Sequence, residues 1–136
     1  MSLLAVAVLS RGIVSAQGAT SELEGTWDGQ ESRAEGRQMT LPPGQVRLKF
    51  EGQKLFAVGF VDPSEKELSF KLDPTKAPKQ FDYWLAGKDP TLAVYELHGD
   101  VLTIGVPRDS PKNRPGAISS EKGSNVVVLV LKKRQS

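Results

Sequence analysis

Gln45–Val61 reads QVRLKFEGQKLFAVGFV, and its pattern sets the reading of the whole chain. Val46, Leu48 and Phe50 alternate with Arg47 and Lys49, the period of two expected of a strand with one wet face. Glu51-Gly52 follows as a two-residue turn in which glycine supplies positive φ at no steric cost. Lys54–Val61 is then the partner strand. A loop of that length sets Leu48 opposite Leu55, so the two side chains share a face.

Outward from this hairpin the same pattern recurs. Toward the N-terminus, Gln38–Pro43 reads as a loop, because Pro42 and Pro43 cannot donate to a ladder. Before it, Leu23–Arg33 reads as a strand that opens with Gly25-Thr26-Trp27 and then turns polar (DGQESR). Toward the C-terminus, Asp62-Pro63-Ser64 is a turn. Glu67–Leu72 places Leu68, Phe70 and Leu72 on one face. Asp73–Lys79 is a proline-bounded loop, and Gln80–Leu85 is a short aromatic strand.

A second hairpin follows, Thr91–Leu97 and Asp100–Val106 around His98-Gly99. A two-residue loop there pairs Tyr95 with Leu102 and Glu96 with Val101. Pro107–Gly123 is a long polar loop. The last strand, Asn125–Arg134 (NVVVLVLKKR), is apolar on both faces, which requires burial on both sides or an outer cover from the chain termini. The expected fold is all-β, an antiparallel eight-stranded up-and-down barrel.

The 136 residues suffice for one domain. The absence of cysteine excludes disulfides, thiolate metal sites and a cysteine nucleophile. A formal net charge of +2 argues against nucleic acid or an anionic membrane as partner. At the N-terminus, Leu3–Leu9 is apolar but far short of the roughly 20 residues a spanning helix needs. Val14-Ser15-Ala16 then offers small residues where a signal peptidase cuts. The expected organisation is a signal peptide over 1–16, a polar joint over 17–22 and a barrel domain over 23–134. The chain is therefore expected to be secreted, or periplasmic or in the cell envelope. No integral membrane segment is expected in the mature chain.

Catalytic chemistry finds little support. His98 is the single histidine, placed in a turn beside Gly99 and Asp100, where neighbours do not converge as a catalytic triad requires. It has no second histidine or cysteine to share a metal. Glu22 with Glu24, and Glu65 with Glu67, are spaced to share a strand face, but each pair falls where water is expected. No nucleophile elbow, phosphate-binding glycine loop or dinucleotide fingerprint occurs. Arg108, Lys112 and Arg114, with Lys132, Lys133 and Arg134, form a basic set. It lacks the aromatic interleaving of a nucleic-acid groove. The expectation is no enzyme, no metal and no cofactor.

Gly25-Thr26-Trp27 resembles the Gly-x-Trp opening of lipocalins and their calycin-type relatives. Leu72–Lys79 (LDPTKAPK), Tyr95–Asp100 with Leu102, Arg114-Pro115 and Gly123–Lys133 follow in an order that is similar to a small lipocalin-like domain family expanded in planctomycete bacteria. The resemblance implies a barrel with Trp27 closing one end. A basic side chain of the last strand (Lys132, Lys133 or Arg134) would lie across the indole by cation–π stacking. It also implies export, and no known reaction.

Two functional expectations follow. The first is a carrier holding a small hydrophobic ligand in the barrel. Strand parity gives its lining as Leu48, Leu55, Phe70, Tyr83, Tyr95 and Leu102, with the tyrosines as polar handles. The second is a structural or protein-interaction module of the cell envelope with a filled core. Its partner would meet the 107–123 loop, since loops on a rigid scaffold commonly carry recognition.

Overall fold

The computed structural model describes residues 22–135, so the expected signal peptide and nearly all of the polar joint lie outside the described residues. Nine antiparallel strands follow one another: β1 (Gly25–Ala34), β2 (Arg37–Thr40), β3 (Arg47–Glu51), β4 (Lys54–Val58), β5 (Lys66–Asp73), β6 (Lys79–Trp84), β7 (Thr91–His98), β8 (Val101–Pro107) and β9 (Val126–Lys133). Eight of them, all but β2, close into a barrel, because β1 pairs with β3 on one side and with β9 on the other. Closure leaves no barrel strand with an open edge. Among the described residues no helix is long and apolar enough to cross a membrane.

Strand β2 was not expected. Glu35 and Gly36 both take positive φ, 53° and 73°, and so make a two-residue turn whose twist suits a hairpin. Glutamate is a rare residue there, which is why the sequence reads as a loop. Arg37–Thr40 instead pairs with the second half of β1, and the prolines follow it. The polar first strand consequently runs ten residues. A bulge between Gly29 and Glu31 shifts its pairing with β9 while its other edge passes from β3 to β2.

The two hairpins need a correction of the same kind. The turn residues are Gly52-Gln53 and Gly99-Asp100, with glycine first at φ 61° in both. This is the II′ arrangement, in which the first central residue must reach positive φ. Each register therefore moves by one pair: Leu55 faces Phe50 and Leu48 faces Ala57. Likewise Tyr95 faces Ile104, Leu102 faces Leu97, Glu96 faces Thr103 and Val101 faces His98. The slip preserves parity, so the side chains expected on the core face remain there.

The ends of the barrel differ. One end is closed by the two Gly turns, the Pro74–Pro78 loop and the arriving chain at Leu23. Leu23 is buried there, and its carbonyl accepts a 2.8 Å hydrogen bond from Trp27 Nε1. Glu24 accepts the Gly52 amide at 3.0 Å and so ties the arriving chain to a turn. The other end carries the longer connections, above all 108–125 between β8 and β9.

Candidate functional site

All six expected lining residues point into the barrel and pack in its core. Leu48 and Leu55 are 0% exposed, Leu102 1%, Tyr95 3% and Tyr83 4%, while Phe70 is partly buried against the same cluster. For the first five such values leave little surface that water could touch, while Phe70 stays partly accessible. The space is taken by aromatic rings. Phe81 lies at their centre, 5.4 Å from Tyr83, 6.2 Å from Phe50 and 6.5 Å from Phe60, Phe70 and Tyr95. Phe60 closes on Tyr83 at 4.6 Å. These are separations at which edge-to-face and tilted pairs attract.

Burial pushes the Tyr83 hydroxyl up to about 12, against a smaller opposing pull from its hydrogen bond with Thr91. Tyr95 is also pushed up to about 12, first by burial and then by the negative charges of Glu22 and Asp73.

Of the three basic residues at the end of β9, Lys133 lies across the indole. It is the strand partner of Trp27, and its ammonium sits 5.8 Å from the ring. Arg134 instead meets Asp28 through two contacts at 2.9 and 3.0 Å, and Arg47 meets the same carboxylate at 2.9 Å. Burial raises the Asp28 pKa, but the two guanidiniums outweigh it and hold the carboxyl below its ordinary value. Lys132 is exposed. His98 is also exposed and touches Glu96, two residues back in the strand. No group of three metal-ligating side chains occurs among the described residues.

The outer cover expected for the last strand proves to extend over β7 and β8 as well, as a second apolar compartment outside the barrel. On β7, β8 and β9 the outward positions Val94, Gly105, Val126 and Val128 are buried, yet Val94, Val126 and Val128 lie outside the interior cluster. Among the described residues the cover is the 108–125 segment, laid as a strap across the wall. A side chain at Gly105 would meet Val94 at 3.1 Å, Val126 at 3.4 Å and Ile118 at 3.7 Å, which places Ile118 directly over the sheet. Pro115 is buried as well. The signal was present in the two-faced valine run of β9; what covers it depends on tertiary docking that no local pattern encodes.

The strap is pinned along its length. The Arg108 amide donates to the Asn125 carbonyl at 2.9 Å and draws the strap's two ends together. Toward β7, the Leu92 amide donates to Pro111 O at 2.8 Å, and Arg114 Nη1 donates to Ala93 O at 2.8 Å. That guanidinium also lies 2.7 Å from Asp82 Oδ1, at an angle that makes a charge contact and not an aligned hydrogen bond. Toward the β1–β2 turn, Gly36 N donates to Ser120 O at 2.6 Å. Glu35 there takes both Arg108 at 2.5 Å and the Gly123 amide at 3.1 Å.

Held in this way, the strap encloses a concavity of about 290 Å³ lined by Asp109, Asn113, Arg114, Ser119, Ser124 and Asn125 over a floor that includes Pro115, Ala117 and Val126. Two further surface concavities lie at the same end of the barrel, one of 720 Å³ at the β1–β2 turn and one of 480 Å³ between Gly44 and Pro63. Compared with family models, curated proteins and solved structures, the chain gives no significant match to any of them.

Proposed function

We propose that this chain is an exported, non-enzymatic, lipocalin-like binding module whose barrel is a filled scaffold and whose recognition surface is the outer strap. The observation that carries the reading is the packing of the expected lining. Five of its six residues have 4% exposure or less, against a set of mutually touching rings. A ligand inside would have to displace those rings, whereas the strap presents polar groups on a fixed frame without rearrangement. No catalytic step is assigned, because among the described residues no nucleophile, base and orienting group converge on one point.

The test is the intact mass of the protein, purified gently from its native source and recorded under native and then denaturing conditions. The expected result is the polypeptide mass in both, with the reduction that removal of residues 1–16 would give. An apolar molecule that travels with the folded protein in a one-to-one ratio, leaves on unfolding and perturbs Phe81, Tyr83 and Tyr95 would overturn it in favour of the internal carrier.

A further inference from the structure

Among the described residues β2 alone keeps an unpaired edge, with β1 on one side and no strand on the other. The two-residue turn fixes which of its backbone groups face outward. Ala34 and Arg37 close the turn as a mutually bonded pair, and bonded pairs then alternate along the ladder. Arg37 and Met39 therefore bond to β1. Leu41 keeps the same phase, its amide donating to Gln30 O at 3.0 Å. The N–H and C=O groups of Gln38 and Thr40 point the other way, off the edge. All four residues of β2 are exposed, Met39 to 62%. Such a row of open donors and acceptors is a template for one more strand.

The charges beside the edge select among strands. The 720 Å³ concavity at the β1–β2 turn is lined by Arg37, Arg108 and Lys122 against the single carboxylate of Glu35. Arg108 takes Glu35, whereas neither Arg37 nor Lys122 meets a carboxylate among the described residues. A second copy of this chain, paired antiparallel on β2, would bring residues 39–43 to that end, and these hold no carboxylate. An acidic strand answers both cations. Arg37 and Met39 share a face, so the positions set against them lie two apart in the incoming strand.

We infer that the β2 edge, with Arg37 and Lys122, takes up an extended acidic segment of a partner protein as an added antiparallel strand, with an apolar side chain set against Met39 and a carboxylate against Arg37. This rests on the reading of the strap as recognition surface, since Arg108 and Lys122 belong to the strap.

The test titrates the blocked peptide Thr-Val-Thr-Glu-Glu into the full-length, isotope-labelled chain and follows amide and methyl resonances by NMR. The expected result is a saturable shift at residues 36–41 and at Lys122, weakened by added salt as exposed charges are screened. Thr40→Pro removes one outward N–H and no bond to β1, so it should weaken binding about tenfold, the worth of one good hydrogen bond. N-methylation of the peptide's second threonine, which lies opposite Gln38, should do the same. Arg37→Glu should weaken it at least as much. The inference is overturned if no saturable shift appears at 36–41, or if binding ignores both Thr40→Pro and the N-methyl group. Equal binding of the counterpart Thr-Val-Thr-Lys-Lys overturns the acidic partner. Shifts at 37–40 that grow with the concentration of the chain alone overturn it in favour of a second copy. Saturable shifts confined to 109–117 overturn the edge site and leave the strap reading in place, whereas shifts centred on the interior methyls overturn both.

Discussion

The wall formed by β7, β8 and β9 is apolar on both faces, and the two faces are built differently. The inner face meets Phe81, Tyr83 and the rings around them, in a compartment closed by strands on every side. The outer face offers small groups, Val94, Gly105, Val126 and Val128, to a segment that holds no strand of its own. Large interlocked side chains inside a closed ladder give stability. Small ones lie under a strap held by hydrogen bonds to β7 and to the β1–β2 turn. The comparison teaches that apolar burial alone does not locate function in this molecule. The inner compartment is packed with large side chains, and the outer one holds a loop in a form that leaves a concavity.

The difference can be broken most forcibly at Phe81. Its ring touches five others, so Phe81→Ala should cost about 3–5 kcal/mol in urea unfolding. A cost below 1 kcal/mol would mean that the interior is loosely filled. Next in size is an alkaline effect. Tyr83 and Tyr95 stay neutral in the fold up to about 12, whereas in the unfolded chain they ionise near 10. Their contribution is therefore whole below pH 10 and is lost as pH climbs from 10 toward 12. The urea midpoint should fall over that window, and the paired Tyr83→Phe, Tyr95→Phe variant should lose most of the slope. An unchanged slope would remove both hydroxyls from the account.

The outer compartment should respond less and more locally. Val94→Ala is expected to cost about 1–2 kcal/mol. It should also speed amide hydrogen exchange in 108–125, while the amides of β3 and β4 keep their protection. A uniform loss across the barrel would mean that strap and core unfold as one unit. Smallest of all is Lys133→Gln, expected to cost about 0.5–1 kcal/mol through the lost cation over Trp27. No change in the Trp27 fluorescence or in stability would show that the contact is idle.

Much of this was legible from period-two patterning. Strand parity sets Leu48, Leu55, Phe70, Tyr83, Tyr95 and Leu102 on one face and they share it, because parity survives a register slip of one pair. The slip itself was not legible, since X-Gly and Gly-X turns differ only in which residue takes positive φ. Nor was β2, whose turn sets Glu35 in a conformation that glutamate rarely adopts. The strap was expected as a recognition loop, but its concavity depends on contacts between residues far apart in sequence. Arg108 with Glu35 is separated by 73 positions, and Arg114 with Ala93 O by 21.

The filled barrel is the claim on which the rest depends, and xenon reports on it directly, because xenon enters dry apolar cavities that exclude water. Methyl resonances of Leu48, Leu55, Leu102, Ile104 and Leu131 would be recorded under increasing xenon pressure. A filled interior leaves them unmoved in the parent chain, while Phe81→Ala opens a space in which they shift and saturate. Saturable shifts at those methyls in the parent chain would contradict the filled core and restore the barrel interior as the binding site.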